Sequence, residues 1–440
     1  MALTVGTAIC DISPQRPMAL YGYPHVERIS TGVHDPILAS VIVMCNGEDT
    51  LVLASLDLLM LDPPFARELR RDAATVAGCP EANVLISCTH THSGPVTSRL
   101  VGWMNDSAVP SPETEVMNHI QSQLLKAVEE AVTNLSSAEL TWTSADATGI
   151  GGNRLSDQGV TDPECGILLL RSSQTKEPLA ASLIYGMHPT VMHEDSTLVS
   201  SDFPHYTRLQ VQEHLGQNIP ITYHTAPAGN QSPRRFVNAQ TFAEAERLGR
   251  KLGTAACSSL ESLSDSDWQE NPTLAGELVQ VELVRNPVRT QEEAEKLLAE
   301  YRDNYERLQT ENAPRAEGRT AECAVFGAEG TVALAQAAAS GELDKMLRDY
   351  SPADVQLLRI GDVFLAGLPG ECFTEYGLEI KRNAPMKTFA VSLVNGSLQG
   401  YIVTPEAAQQ GGYEATNAVF APESGEILVD TVVNMMKGIA

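Results

Sequence analysis

Two histidines lie two positions apart at the end of an apolar segment, in the stretch LISCTHTHSGP at residues 85–95. In a β-strand, residues i and i+2 point to the same face, so a strand that continues through this stretch would direct His90 and His92 into one cavity. The Ser-Gly-Pro that follows is typical of a turn. Two histidines that face one cavity can serve as metal ligands or as an acid–base pair.

Four further stretches share this arrangement, because in each a short apolar segment ends at a polar residue beside Gly or Pro. Loops after strands are where α/β folds place reacting groups. A glutamate after Pro-Gly is also typical of the first turn of a helix, where it interacts favourably with the helix dipole, so Glu371 has two interpretations. The polar residues are His188 in ASLIYGMHPT, Ser232 in HTAPAGNQSPRR, Glu371 in VFLAGLPGE, and Tyr401 and Tyr413 in LQGYIVTPEAAQQGGYE.

Short β-branched or aliphatic segments bounded by Gly, Pro, Asn or Asp predict the strands that carry these loops, and helical segments alternate with them. This interleaving predicts a mixed α/β fold, with a mixed β-sheet core flanked by helices, in one catalytic domain that spans residues 1–440. Strands are predicted at 3–9, 37–46, 50–59, 83–89, 138–145, 166–171, 179–187, 220–226 and 388–396 and as a pair around Gly361, and helices at 63–77, 112–133, 204–216, 240–262, from Phe373 onward and at 424–437.

A helical excursion is predicted around residues 290–348. The segment 290–311 is strongly charged and amphipathic, and the segment 319–348 is rich in alanine, so together they favour a helical hairpin. Such a hairpin is either a solvated pair of surface helices or an arm that contacts a second copy of the chain. A homo-oligomer is therefore an open expectation.

The composition excludes several classes of function. The net charge is −26 over 440 residues, which disfavours nucleic acid and anionic membrane surfaces as partners because both repel an acidic protein. The longest apolar run is interrupted by Asp57 and Asp62, so no transmembrane segment is expected. The N-terminal segment lacks the basic and apolar regions of a signal peptide, and the eight cysteines form no CxxC pair, so a cytoplasmic protein without a disulfide framework is expected.

Several motifs together resemble those of the neutral, non-lysosomal ceramidases. They are CTHTHSGP, MHPT followed by SSD, AGNQSP, LPGE, and GYIVTPE followed by YE, in that order along the chain. The N-terminal stretches VGTAICDISP and GVHDPILASVIVM are also similar to that family, so the resemblance extends over roughly residues 3 to 420. It implies the catalytic domain of such an enzyme, without the C-terminal immunoglobulin-like domain that many ceramidases carry.

The resemblance also implies a Zn²⁺ site and the residues around it. The implied metal ligands are His90, His188, Glu371 and Tyr401. The implied catalytic residues beside the metal are His92, Ser232, Arg154 and Tyr413. The substrate-binding residues expected with them are Asn153, which precedes Arg154 in GGNR, together with Arg234 and His34.

This set of residue types is chemically coherent. Two imidazoles and a carboxylate are typical of catalytic zinc sites, in which zinc lowers the pKa of a bound water to about 7 and polarises a carbonyl oxygen. His92 can then transfer protons or donate to a developing oxyanion, and Arg154 and Tyr413 are further donors. Ser232 is either a nucleophile activated by a base or a substrate contact. The second interpretation is favoured because a metal-activated water makes a serine nucleophile unnecessary.

One motif departs from the ceramidase pattern Gly-Asp-Val-Ser-Pro-Asn, because residues 229–234 read GNQSPR. Asn230 stands where that pattern has an aspartate. Arg234 and Arg235 either bind an anionic substrate or only add surface charge. The sequence therefore predicts a zinc-dependent hydrolase that cleaves an N-acyl amide of a small molecule or lipid with a metal-activated water. A small polar non-lipid amide, ester or lactone is the alternative substrate class, and a non-catalytic metal-dependent binding protein is the second alternative.

Overall fold

The computed structural model of the chain describes residues 2–103, 108–216 and 219–439. Numbered in chain order, its strands are β1 (Thr4–Asp11), β2 (Gly32–Val33), β3 (Leu38–Cys45), β4 (Thr50–Leu56), β5 (Val84–Cys88), β6 (Ser136–Asp146), β7 (Gly152–Asn153), β8 (Glu164–Ser172), β9 (Pro178–Tyr185), β10 (Leu198–Val199), β11 (Ile221–Thr225), β12 (Gln231–Ser232), β13 (Leu274–Val281), β14 (Ala353–Ile360), β15 (Val363–Gly367), β16 (Glu371–Cys372), β17 (Lys387–Val391) and β18 (Tyr401–Ile402). Its helices are α1 (Pro63–Ala77), α2 (Thr114–Thr133), α3 (Phe203–Leu215), α4 (Phe242–Leu260), α5 (Gln291–Thr310), α6 (Arg315–Ala339), α7 (Leu343–Met346), α8 (Thr374–Asn383), α9 (Pro405–Gln410), α10 (Tyr413–Thr416) and α11 (Glu423–Ile439).

The larger of the two principal sheets contains eight strands in the order β11-β9-β8-β6-β1-β3-β4-β5. The pairs β11–β9 and β4–β5 are parallel, whereas the strands between them pair antiparallel. These strands are apolar on both faces because both faces are covered. In β3, for example, Val41 and Val43 contact one core cluster, whereas Ile42 and Met44 contact another, as the strand period of two requires.

The smaller sheet has the order β13-β14-β15-β17, and its last two strands are parallel. It packs face to face against the larger sheet, since Leu358, Leu365 and Phe389 share a buried cluster with Leu53 and Leu168. Helices cover the outer faces, with α1 to α4 on the larger sheet and α8 and α11 on the smaller one. The core is therefore a stack of two mixed sheets between two layers of helices.

The helical excursion forms a hairpin in which α5 packs against α6. A capping box between Thr290 and Glu293 begins α5, and Ala294 is the one residue of this helix that is buried. The next helix, α6, buries several small residues and contacts α10. Thus α5 is largely solvated and packs against α6, and its Tyr301 hydroxyl also accepts from the Gly412 amide at 3.0 Å.

The predicted mixed α/β fold with helix-flanked sheets is confirmed, and most predicted strands and helices agree with the observed ones to within a few residues. The helical segment predicted at 319–348 is instead α6 followed by the short α7, and the strand predicted at 388–396 is β17, which ends at Val391. The sequence did not predict β13 or the two-residue strands. In β13 most residues are partly buried, because it is an edge strand of the smaller sheet, so it lacks the apolar run that marks the central strands. No helix in the three described ranges combines the length and the apolarity that crossing a bilayer requires.

A buried ion pair joins α3 to the end of β4. The Arg208 guanidinium donates to both carboxylate oxygens of Asp57, at 3.0 and 2.7 Å, and to the Ser201 hydroxyl at 2.9 Å. Both charged side chains are almost fully buried. Because a buried charge that loses its partner is costly, this pair constrains the loop before α3 relative to the sheet.

We expect Arg208→Met to lower the free energy of unfolding by about 3–5 kcal/mol, because it leaves the Asp57 carboxylate buried and unpaired. Urea denaturation followed by circular dichroism measures the loss. Arg250→Met is the matched control, since Arg250 forms exposed ion pairs on α4 and should cost less than about 1 kcal/mol. Equal losses in the two variants would contradict this prediction.

Candidate metal centre and substrate cavity

Three histidine side chains converge where the loops after β5 and β9 meet. The ligating nitrogens of His90, His92 and His188 all lie within 4.8 Å of one another. Their ring centroids are 4.6 to 5.8 Å apart. His90 and His188 are buried, whereas His92 is partly exposed. A group with this composition and spacing can bind a metal ion.

Backbone carbonyls determine which nitrogen of each ring faces the centre. Because a carbonyl only accepts hydrogen bonds, each Nδ1 must carry a proton, and in the neutral ring this leaves the Nε2 lone pair to face the centre, as in a metal-binding histidine. The buried Nε2 of His92 has no hydrogen-bond partner in the described part of the chain. Nδ1 of His90 donates to the Leu59 carbonyl at 2.9 Å, and Nδ1 of His92 donates to the Gly22 carbonyl at 2.9 Å. Nδ1 of His188 donates to the Ala228 carbonyl at 2.8 Å.

A carboxylate completes the centre. Oε2 of Glu371 lies 3.1 Å from Nε2 of His188 and 3.2 Å from Nε2 of His90. In a tetrahedral site with metal–ligand distances of about 2.0–2.1 Å, neighbouring ligand atoms are about 3.3–3.4 Å apart. The observed separations are close to this value, so these side chains fit a metal ion.

The protonation states of His188 and Glu371 are also those of metal ligands. Burial, together with the charge of Arg154, lowers the pKa of His188 to about 3, so that its imidazole is neutral. Burial alone would raise the pKa of Glu371, but the adjacent His90 and His188 hold it well below its usual range. His188 therefore presents a neutral imidazole to the centre, and Glu371 presents an ionised carboxylate.

The histidine pair meets for a different reason from the one that the sequence suggested. The strand β5 ends at Cys88, before either histidine, so the rule that residues i and i+2 share a face does not apply. His90 instead adopts a left-handed conformation with φ of 69°, and its amide donates to the Leu58 carbonyl at 2.9 Å. This uncommon backbone conformation turns the chain so that the rings of His90 and His92 meet at 87°.

A loop outside the sheets holds His92. The buried Arg28 guanidinium donates to the carbonyls of His92 at 2.7 Å and Tyr21 at 2.6 Å. A Cβ on Gly22 would lie only 2.6 Å from the His92 ring, and Gly22 has φ of +107°. Glycine is therefore required for the loop to approach this ring.

Glu371 reaches the centre from the smaller sheet. It lies in β16, whose parallel partner β18 pairs it directly with Tyr401. Gly370, with φ of +103°, turns the chain immediately before it. The helix α8 begins only at Thr374, so the interpretation of Glu371 as a residue of a helix's first turn is wrong.

Tyr401, Tyr413 and Arg154 form a buried cluster next to Glu371. The two phenol rings are 5.6 Å apart, and the Arg154 guanidinium lies 5.2 Å from the Tyr401 ring. Nε of Arg154 donates to the buried Glu414 carboxylate at 2.5 Å, while its Nη2 is buried without a partner among the described residues. Burial, reinforced by Glu371, holds the pKa of Tyr401 well above its usual value, so the free phenol is neutral.

A cavity of about 250 Å³ adjoins this centre. A smaller cavity of about 70 Å³ shares His92, Tyr401 and Tyr413 with it and also reaches His90 and Glu371. The interpretation of the excursion as a solvated surface pair holds for α5 but is wrong for α6, because α6 forms a wall of the larger cavity. Its residues there include Arg315, Arg319, Cys323 and Phe326.

Ser232 and Arg234 both line the larger cavity. The Ser232 hydroxyl accepts from the Arg234 amide at 3.3 Å, and no His, Asp or Glu side chain is hydrogen-bonded to it within the described ranges. Arg235, in contrast, pairs with the exposed Asp157 at 2.8 Å. The two neighbouring arginines thus differ, since one faces the cavity and the other belongs to the surface.

Two predicted substrate-binding residues do not reach either cavity. The Asn153 amide is used within its own loop, where it accepts from the Leu155 amide at 2.9 Å and donates to the Val160 carbonyl at 3.0 Å. His34 bonds Asp35 at 3.0 Å and stacks on a phenylalanine ring at the surface. Both side chains already have structural partners, and neither lines a cavity.

Several residues of the site were not predicted from the sequence. Glu414 directly follows Tyr413 in the YE motif, but nothing in the sequence indicates that it pairs with Arg154. Arg315 and Arg319 are four residues apart and so share one helix face, which is a usable signal. They were missed because the helix was predicted to begin at residue 319, whereas α6 begins at Arg315.

Comparisons with known proteins agree with this architecture. The family model described as neutral/alkaline non-lysosomal ceramidase, N-terminal, matches residues 3–261. A crystal structure of neutral ceramidase from Pseudomonas aeruginosa is similar with a TM-score of 0.76 and 18% identity, covering 100% of this chain and 74% of that chain. A structure of ceramidase complexed with C2 is similar with the same TM-score and identity, covering 100% of this chain and 75% of that chain. These structural similarities, at such low identity, show the fold.

We expect His90→Ala and His188→Ala to lose the bound metal, because each removes one Nε2 ligand from the centre. The loss in affinity should exceed the roughly 10- to 100-fold that changes outside the ligand shell cause. Elemental analysis of the purified variants measures the metal per chain. His214→Ala, which changes an exposed histidine on α3, is the control and should keep the metal of the unmodified protein. Undiminished metal in both site variants would contradict the centre described here.

Proposed function

Because the chain belongs to the neutral/alkaline non-lysosomal ceramidase family, we propose that it is a zinc-dependent hydrolase that cleaves an N-acyl amide bond. The proposal is supported most strongly by one observation. Two imidazoles and an ionised carboxylate converge with separations of 3.1 and 3.2 Å, which suit a single small cation. Their residues, His188, His90 and Glu371, are a common ligand set of catalytic zinc.

In this proposal Tyr401 is the fourth ligand, contributed beside Glu371 by the pairing of β16 with β18. A zinc ion held there would supply Lewis acidity, lowering the pKa of a bound water to about 7 and polarising the scissile carbonyl. His92 is not among the proposed ligands, although its Nε2 faces the same space. It is therefore available to take a proton from the attacking water and return it to the departing amine.

The charge that develops on the carbonyl oxygen needs donors that are in position before the reaction. Nη2 of Arg154 is buried and unpartnered, so it can donate to that oxygen or to an adjacent substrate group. Glu414 fixes the guanidinium through Nε and leaves Nη2 free. Tyr413 remains protonated because burial raises the pKa of its phenol, and so it can donate as well.

Ser232 acts in this proposal as a substrate contact. Its hydroxyl lines the larger cavity, but no base is bonded to it among the described residues, and an unactivated serine is a weak nucleophile. The larger cavity also supports a second candidate substrate class. At about 250 Å³ it lies below the usual range of about 300–1,000 Å³ for ligand pockets, which favours a small polar amide, ester or lactone over a long-chain lipid.

We expect the zinc-loaded protein to release amine from N-acyl amides, and two variants to separate metal binding from catalysis. Glu371→Gln should lose metal and activity together. His92→Ala should keep the metal while kcat falls by about 10²- to 10⁴-fold, as expected for loss of a general acid–base. Elemental analysis and amine release from short-chain amides and a long-chain ceramide are measured on the same samples, with His214→Ala as the control.

The outcomes separate the two parts of this proposal. Loss of metal from the His92 variant would contradict the ligand assignment. If the metal-loaded protein released amine from none of the substrates, the hydrolase proposal would be wrong.

We expect Ser232→Ala to raise KM with a modest loss of kcat, because a contact is removed while the attacking group is retained. Acid quenching of the unmodified protein during turnover, followed by peptide mass spectrometry, should detect no acyl group on the peptide that contains Ser232. An acylated Ser232 would instead identify the serine as the nucleophile.

A further inference from the structure

The larger cavity is cationic, although the chain as a whole is strongly acidic. Among the residues that the structure describes, four arginines and no aspartate or glutamate line this cavity, whereas the net charge of the chain is −26. Such a local reversal of sign is unexpected for a surface whose charge serves only solubility. It indicates a site built to attract an anion.

The four arginines differ in how far their charge is already neutralised. Arg154 pairs with Glu414, and Arg319 forms a two-pronged bond with Glu194 at 2.9 and 3.0 Å. Arg234, in contrast, donates to the uncharged Thr320 hydroxyl at 2.9 Å. These contacts leave Arg234 and Arg315 as the uncompensated charges.

No carboxylate within 4 Å of Arg234 or Arg315 occurs in the described ranges. Arg315 is exposed at the start of α6, and Arg234 is partly buried at the cavity wall. A guanidinium withdrawn from water without a counter-charge is unfavourable, so a bound anion would stabilise Arg234 in particular.

The smaller cavity has no arginine or lysine among the described residues that line it. Its wall includes the apolar side chains of Leu59, Met60, Val101 and Leu334, and Glu371 also lines it. Since both cavities include His92, Tyr401 and Tyr413, the proposed metal centre lies where they adjoin. An amide bound across this centre would have one apolar half and one anionic half.

We propose that the substrate is an N-acyl amide whose acyl group is short and apolar and whose amine half carries a carboxylate that binds Arg234 and Arg315. This inference rests on the proposed hydrolase function. Hydrolysis breaks the amide C–N bond, the oxygen of water joins the acyl carbon, and the amine leaves with the added proton. The larger cavity, which Arg234, Arg315 and the Ser232 hydroxyl make the polar side, receives the half that carries the carboxylate.

Three short amides test the proposal. N-hexanoyl-4-aminobutyrate carries the carboxylate on its amine half, its carboxamide lacks the charge at nearly the same shape, and N-hexylglutaramate carries the carboxylate on its acyl half. With the zinc-loaded full chain, kcat/KM for the first should exceed that for its carboxamide by about 10- to 100-fold, the usual effect of charge-assisted hydrogen bonds.

Arg234→Gln and Arg315→Gln should each reduce this preference about tenfold or more, because each lowers kcat/KM for the acid much more than for the carboxamide. Arg302→Gln is the matched control, because Arg302 is exposed on α5, pairs with Glu329 and does not line the cavity. Arg315 is exposed, so its replacement should not affect folding, which a thermal melt of each variant checks.

The outcomes distinguish the anionic-substrate inference from the proposed hydrolase function. Equal kcat/KM for the acid and its carboxamide, unaffected by Arg234→Gln, would overturn the anionic substrate while the hydrolase function stands. Preference for N-hexylglutaramate would overturn the assignment of the amine half. If no amide or ceramide is hydrolysed, the proposed function fails. Calorimetry then tests whether the cavity binds an anion. Tighter binding of the acid than of its carboxamide, with the difference lost in Arg234→Gln, supports the cationic site. Equal binding of the two compounds overturns it.

Discussion

The site depends on hydrogen bonds from three imidazole Nδ1 atoms to backbone carbonyls. A free imidazole rotates and exchanges its proton between two nitrogens, whereas each of these rings has one fixed tautomer and one fixed direction. The acceptors belong to the chain segments at Leu59, Gly22 and Ala228, which are far apart in the sequence. The centre can therefore form only after these segments have folded around one another, and the fold determines its geometry.

The stacked sheets explain how such distant segments meet. His90 and His188 follow strands of the larger sheet, while Glu371 follows a strand of the smaller one. The apolar cluster between the sheets fixes their separation, and the buried pair of Asp57 and Arg208 links the larger sheet to the segment before α3. A separation near 3 Å between ligand atoms requires this rigidity, because a shift of one ångström in either sheet would disrupt it.

The sequence predicts those features that depend on local periodicity. Apolar runs identify the central strands, and the residues that follow β5, β9 and β15 include the groups that converge. The backbone of His90 could not be predicted, because its left-handed conformation is imposed by contacts such as the bond to the Leu58 carbonyl. The same limitation applies to Glu414, whose partner Arg154 is 260 positions away. Asn153 and His34, which the sequence assigned to substrate binding, make local hydrogen bonds and line neither cavity.

The metal centre and the wall that faces it are constructed from different parts of the fold. The proposed ligands are buried residues, so their replacement would disturb packing as well as chemistry. The arginines of α6 belong instead to a helical hairpin whose outer helix buries a single residue. Arg315 is exposed at the start of α6, so its replacement should cost little stability, whereas Arg319 is held by Glu194 and the helix itself buries eight residues. Under the functions proposed above, the charge of the cavity wall at Arg315 can therefore change without disturbing the residues proposed to bind the metal.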